Sequence, residues 1–508
     1  MNPFELVAFI IYFLFVTGVG VYFFIKSFKV KSNGEKDYFL GGRNMGGLVA
    51  ALSAGASDMS AWVLMGLPGA ICLLGMGQVW ISVGLIIGTI CAWIFVAPKL
   101  RRYAIKANDS ITIPEFLSNR FKSKNNVLRI ICAVIFMVAY CIYTASSISA
   151  CGTLFETVTG GFITKNWGMV IASAVILVYT LLGGFNAVCW TDFFQGLLML
   201  AALMVLPIVA VVFMNGEKFI PPFITENPNF FNPLSSGNFD LASIVDIISG
   251  LGWGLGYFGM PHILVRYMSI RNEREMRKSQ ITGSIWTTVI CIMASVVGLV
   301  AHNFFGDAIT KDNSDQVFIM LSRALVPGLI SGVLISAIIA ASMSTADSQL
   351  LSSSSAFASD FYKPVIRKKA SNKEVMWVGR IAVGVILVIA LLIALNPNSG
   401  GIMGLVSNAW SIFGSAFGPV ILLSLYFRRL NYAGAVSSIV TGFATSILWL
   451  FVIGPALPAP LSSLYEIIPG FSLALIVAIV VSLTTKAPSK EVTDLFDEVK
   501  QMNYKTEE

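Results

Sequence analysis

Apolar runs of about 20 residues recur along the chain, separated by short polar or basic segments. They fall near 4–25, 45–67, 73–96, 130–152, 167–182, 189–214, 241–265, 281–304, 325–355, 381–395, 403–426, 433–453 and 467–483. About 20 apolar residues wound as a helix match the roughly 30 Å hydrocarbon thickness of a bilayer, so the pattern predicts an all-α polytopic membrane protein of about thirteen transmembrane helices. Two runs break their own pattern. In the second, Ala54-Gly55-Ala56-Ser57-Asp58-Met59-Ser60-Ala61-Trp62 places a carboxylate among small residues in mid-span. A charge there costs about 2.5–3.5 kcal/mol on insertion scales, and irregular backbone persists at such depth only against protein or a cavity. In the seventh, five glycines within residues 249–259 precede Pro261, a composition that does not carry a continuous helix unaided. Two interrupted spans in corresponding halves point to a midplane binding site.

Composition sharpens this picture. The chain has 508 residues, 56% hydrophobic and 12% charged, with mean hydropathy +0.79. Those values exclude a soluble enzyme and a disordered chain, and the run lengths exclude a barrel of alternating ten-residue strands. The net charge of +7 invites a nucleic-acid partner, but the basic residues are confined to loops. All but Lys165, Lys218, Lys311 and Arg323 of the 34 Lys and Arg fall on one expected side. By the positive-inside rule that side is cytoplasmic, which puts the N-terminus outside and the C-terminus inside a cell membrane. The tail from Lys486 reads as a solvated end. The seven cysteines include no CxxC pair, and there are two histidines, so neither a disulfide framework nor a His-based metal site is expected.

The broken spans suit an amino-acid zwitterion. Backbone N–H groups at a half-helix N-terminus hold a carboxylate, and the faces of Trp253 and Tyr257 can stack on an ammonium or small ring. The ninth span adds Ser342, Ser344, Thr345, Asp347, Ser348 and Ser352, with Ser344, Ser348 and Ser352 on one helical face. Hydroxyls beside a broken backbone supply the oxygens a hard cation needs, whereas a proton needs only a titratable group, so the pattern favours sodium as coupling ion. Asp347 either joins a cation site or faces the inner vestibule. Asp192 is either an acid near a helix N-terminus, which its position favours, or part of an ion path. No P-loop, HExxH or GxSxG motif is present, so ATP-driven transport and catalysis have no support and an enzyme is not expected.

Several motifs together resemble the sodium/solute symporter family, its sodium/proline branch in particular. They are Tyr38-Phe39-Leu40-Gly41-Gly42-Arg43, residues 54–60, Gly66-Leu67-Pro68-Gly69, Thr180-Leu181-Leu182-Gly183-Gly184-Phe185, Trp190-Thr191-Asp192, residues 253–259 with Pro261-His262, and Met343-Ser344-Thr345. The resemblance implies a leucine-transporter-type fold of five-plus-five inverted repeats with helices 2 and 7 broken. The chain would then divide into a first helix and loop (1–44), repeat one (45–215), repeat two (241–430), two peripheral helices (431–485) and a cytoplasmic tail (486–508). It further implies a sodium site made by the carbonyls of Ala56, Met59 and Ala341 and the hydroxyls of Ser344 and Thr345, with Asp58 as a neighbouring charge. Positions matching substrate contacts are Ser60, Gly66, Tyr143, Trp253, Tyr257 and Pro261. Arg43 and Asp192 match sensitive positions, and Asp192 and Ser348 match where some relatives hold a second sodium. Three departures stand out: Ala61 for the usual Gly, Met260 for the usual Gln, and Ala346-Asp347 for an apolar residue and Ser.

The expectation is therefore a sodium-coupled secondary active symporter that imports L-proline by alternating access, with the bilayer and no obligate protein as partner. The rivals are symport of another small amino acid or an organic carboxylate and, from another class, a membrane sensor on the same fold.

Overall fold

The computed structural model describes residues 3–29, 35–213, 229–399 and 401–502. Lys31, Lys218, residues 214–228 of the loop after the sixth span and the last six residues lie outside them. The described residues are helical throughout apart from loops, with one isolated bridge between Met45 and Ile270. Among the described residues, eleven helices are long and apolar enough to cross a membrane. One bent pair and a shorter apolar helix, Lys165–Val178, complete the set of segments expected from the hydrophobic pattern. The principal helices are α1 (Pro3–Lys29), α2 (Gly47–Asp58), α3 (Leu67–Leu74), α4 (Val79–Cys91), α5 (Val127–Thr159), α6 (Lys165–Phe213), α7 (Leu241–Gly252), α8 (Pro261–Ser269) and α9 (Glu273–Phe305). They are followed by α10 (Gly328–Ser355), α11 (Asn372–Ala394), α12 (Gly401–Tyr426), α13 (Tyr432–Leu448), α14 (Ile467–Thr484) and α15 (Lys490–Gln501).

Both expected breaks are present. Between α2 and the segment Trp62–Leu74 the axis bends by 63°. The Met59 N–H still reaches the Gly55 carbonyl at 2.8 Å, but the Ser60 N–H turns to the Asp58 carbonyl at 2.9 Å. In a continuous helix Ser60 would have bonded the Ala56 carbonyl, so the break frees that oxygen. The second break runs from α7 through a 3₁₀ turn, Trp253–Phe258, to Met260, which is extended (φ −74°, ψ 109°) and starts α8 at Pro261. Proline pushes its predecessor out of the helical region and lacks the N–H that would continue the ladder.

Glycines let the second broken span pass α4 backbone to backbone. A Cβ added at Gly88 would lie 2.3 Å from the Gly254 carbonyl oxygen, an atom that cannot rotate aside. Gly88→Ala is expected to cost about 1–3 kcal/mol by overpacking. Gly384→Ala, with nothing within 4 Å of its added carbon, serves as the near-neutral control. Thermal unfolding of the two variants in detergent measures the difference.

The tail differs from expectation. Instead of a solvated end it forms α15, an amphipathic helix that buries Val492, Leu495, Phe496 and Val499. Its apolar face covers Tyr103 and the fully buried Arg120, whose guanidinium carbon sits 5.4 Å from the Phe496 ring centre. Its acids pair with loop bases, Asp497 with Arg428 at 2.7 Å and Glu498 with Lys106 at 2.6 Å. The loop bases expected to face solvent are thus partly neutralised by the chain itself. In the loop before α5, Thr112 caps the helix Ile113–Arg120 by accepting from the Glu115 N–H, and Glu115 accepts from the Ile111 N–H.

Candidate functional site

The first break touches both α10 and the second break. The freed Ala56 carbonyl accepts from the Ser344 hydroxyl at 2.6 Å and lies 3.5 Å from that of Thr345. Ser344 also approaches the Ala341 carbonyl at 3.3 Å. Four of the five positions expected to hold sodium therefore meet at one buried cluster of oxygens; Met59 stands three residues beyond Ala56, at the end of the same helix. For a cation to enter, the Ser344 hydroxyl turns its proton away and offers a lone pair.

Asp58 joins this cluster to the second break. Its carboxylate accepts a hydrogen bond from the Tyr257 hydroxyl, and its backbone carbonyl accepts from Tyr143 at 3.2 Å and the Trp62 indole at 3.3 Å. The second carboxylate oxygen is buried without a protein partner. Ser60 binds the same carbonyl through its N–H. Trp253 lies 5.8 Å from Trp62 ring to ring and 6.4 Å from Trp410, whose indole N–H donates to the Trp253 carbonyl at 2.7 Å. Gly66 is reached through Trp62 and Met403, and Pro261 through its neighbour His262, whose N–H donates to Tyr140. Hence Ser60, Tyr143, Trp253 and Tyr257 form a connected group around Asp58, while Gly66 and Pro261 border it. Trp410 was missed because a lone tryptophan in an apolar span carries no periodic signal.

A match to the sodium:solute symporter family extends over residues 38–442. The chain belongs to that family. Similar proteins are the osmoregulated proline transporter OpuE of Bacillus subtilis, 42% identical over 96% of each chain. The high-affinity proline transporter PutP of the same organism is 42% identical over 91% of this chain and 95% of that one. A sodium/proline symporter of Staphylococcus aureus is 41% identical over 96% and 94%. Among solved structures, a Na+-coupled sialic acid symporter in a substrate-bound outward-open state superposes with a TM-score of 0.79 at 21% identity, covering 96% of this chain and 99% of that one. MhsT in complex with L-phenylalanine gives 0.56 at 14% identity, covering 86% and 98%. The symporter is thus a multi-pass membrane transporter of the leucine-transporter type, with sodium as its co-transported ion, and not an enzyme.

In this symporter Asp192 is not near a helix start. It lies inside α6, eight residues past the kink at Gly184, and pairs with Arg266 at 2.8 Å. Arg266, although the basic residues are expected in loops, is fully buried in α8. Its guanidinium also donates to Ser53 at 2.7 Å, Ser348 at 2.5 Å and the His262 carbonyl at 2.7 Å. Ser348 in turn donates to Asp347 at 3.3 Å, so both acids left open by the sequence belong to one buried network. The guanidinium stands between Asp192 and Ser348, the pair that the family resemblance marks for a second sodium. The sequence signal was present, since Arg266 follows His262 by one helical turn.

Arg43 stands ten residues before Ser53 of this network and seals the same end of the second broken span. Its side chain donates to the Met268 carbonyl at 2.6 Å, the Ser110 carbonyl at 2.5 Å and Asp109 at 2.8 Å, and Lys36 pairs with Asp109 as well. Beside it, Met45 exchanges backbone hydrogen bonds with Ser269 and Arg271 at 3.1 and 3.0 Å. Arg101 adds bonds to the Ile270 and Arg271 carbonyls, both at 2.7 Å. Burial pushes the Asp109 carboxyl up, but hydrogen bonds from Lys36 and Arg43 outweigh it and hold the group below its ordinary value. The ion pairs of this seal are therefore fully formed at neutral pH and are lost only as pH falls through that depressed value.

At the other end of the second broken span lies a cavity of about 490 Å³ that reaches Trp253 and includes Gln78, Asp246 and Ser249 in its walls. One end of the site is thus lined by a cavity and the opposite end is sealed.

Proposed function

We propose that this chain imports L-proline together with sodium by alternating access. The observation that carries the reading is the convergence of Ala56, Ala341, Ser344 and Thr345 on one oxygen cluster two residues from Asp58, which is itself bonded to Tyr257 of the other break. An ion that orders the first break therefore bears directly on the aromatic group that would hold the solute. The similar proteins named for proline transport support the choice of solute. The repeats would run over 45–215 and 241–430, and Ser60, Gly66, Tyr143, Trp253, Tyr257 and Pro261 would contact the solute.

The cavity face would be external and the Arg43 seal cytoplasmic, which agrees with the basic loops lying on the seal side. The N-terminus would then be outside and the C-terminal helix inside. Sodium shifts the balance of states only by its differential affinity for them, and sodium and proline tighten each other by the same factor. The Arg266 guanidinium between Asp192 and Ser348 supports coupling through the single cluster at Ala56.

The test is proline uptake into proteoliposomes with an imposed inward sodium gradient. Uptake should collapse when choline replaces sodium. Uptake indifferent to that exchange would sink the mechanism, and stronger competition by another amino acid or a carboxylate than by unlabelled proline would replace the solute.

A further inference from the structure

The two helices after the second repeat, α13 and α14, pack on α12 as a hairpin, with Gly442 and Gly470 closing onto Ser415. Their connecting loop does not stay at the periphery. It turns inward and delivers Tyr465 and Glu466 into the wall of the cavity above Trp253. Tyr465 is fixed there from three sides. Its ring stacks on Trp253 at 5.2 Å with planes 27° apart, its hydroxyl donates to the Ser407 carbonyl at 2.8 Å, and its N–H donates to Ser249 at 3.1 Å. The Trp449 indole pins the same loop through the Leu464 carbonyl at 3.0 Å.

Glu466 is 8% exposed and accepts from the Ser411 hydroxyl at 2.8 Å. Among the described residues it has no ion-pair partner. The cavity lining holds a second carboxylate, Asp246, and three aromatic rings, Trp253, Trp449 and Tyr465, with no Lys, Arg or His. A carboxylate kept nearly dry beside aromatic faces is the environment that binds an organic ammonium, through a charge-assisted hydrogen bond and ring quadrupoles. Gln78 and the serines at 249, 407, 462 and 463 in the same lining add oxygens that can accept from the ammonium protons. The volume also suits a small organic molecule.

We propose that the α13–α14 loop completes an outer binding site, in which Glu466 and Tyr465 receive the ammonium group of the solute before it passes Trp253 to the central site. This rests on the reading of the solute as an amino-acid zwitterion. It makes the hairpin a part of substrate recognition.

Pyrrolidine, a cyclic amine that is protonated at neutral pH and lacks a carboxylate, is the probe. In proteoliposomes it should inhibit proline uptake by the wild type. Glu466→Gln, which keeps an oxygen for Ser411, should raise the proline KM and the pyrrolidine inhibition constant together by about tenfold, the loss of one charge-assisted hydrogen bond. The maximal rate and the half-saturating sodium concentration should stay within about twofold of wild type, and Glu466→Asp should recover part of the loss. Asp246→Asn, in the same lining, should shift the same two constants in the same direction. Unchanged KM and inhibition in Glu466→Gln, or a shift confined to sodium, overturns the proposal. Calorimetric binding of pyrrolidine to purified protein separates the two readings. Binding lost in Glu466→Gln by a protein that does not transport proline upholds the outer site and rejects the solute; proline transport with no pyrrolidine binding does the reverse.

Discussion

Asp58→Asn is expected to raise the half-saturating sodium concentration for uptake by about tenfold to a hundredfold, a loss of roughly 1.4–2.8 kcal/mol. The substitution keeps an oxygen for the Tyr257 hydroxyl and removes only the charge. That charge sits two residues after the Ala56 carbonyl, in a region where a unit charge about 5 Å from a cation contributes on the order of 3 kcal/mol at an effective dielectric of 20. The solute KM at saturating sodium should move much less. Trp253→Ala should do the opposite, raising the solute KM while the sodium dependence holds, because its contacts are with Trp62, Trp410 and Tyr465 and not with the oxygen cluster. Sodium titrations at fixed solute and solute titrations at fixed sodium measure both. If each variant shifts both curves equally, ion and solute are not held by separate groups.

The largest effect on folding is expected at Arg266. Arg266→Met leaves Asp192 buried without its cation and Ser53 and Ser348 without their donor, at a cost of about 3–5 kcal/mol. A comparable loss exceeds a large share of the stability of an ordinary domain, so the variant should reach the membrane poorly and unfold at lower temperature. Removing the stranded charge as well, in Arg266→Met with Asp192→Asn, should recover much of the loss. Thermal unfolding of the wild type, the two single variants and the double variant closes a mutant cycle. A loss in the double variant equal to the sum of the two single losses would show that the pair contributes no net coupling.

Much of this architecture is readable in the chain because a bilayer allows few alternatives. Span positions follow from apolar length, and both breaks from a mid-span acid and a run of glycines ending in proline. The oxygen cluster at Ala56 could be anticipated through the resemblance, whereas the physical reason for it, a carbonyl freed when Ser60 turns to Asp58, appears only in the folded backbone. Two other features depend on contacts between distant segments. Arg266 looks like a loop base until α8 is seen to carry it inward. Tyr465 and Glu466 end a short loop of Leu, Pro, Ala and Ser with no pattern of their own. The tail is different: Val492, Leu495, Phe496 and Val499 are spaced i, i+3, i+4 and i+7, a helical stripe that composition alone hides among charged neighbours.

The seal between residues 43–47 and 268–271 sets a speed as well as a barrier. Its backbone part is two hydrogen bonds, each contributing only about 0.5–1.5 kcal/mol net. Around them Arg43 and Arg101 hold the Ser110, Met268, Ile270 and Arg271 carbonyls through separate bonds, while Asp109 is nearly half exposed, so its ion pairs are softened by solvent. A clasp of that strength holds against leak yet can be undone by thermal motion once per turnover. A tighter one would make unclasping the slowest event of the cycle, and fidelity would be gained at the expense of flux.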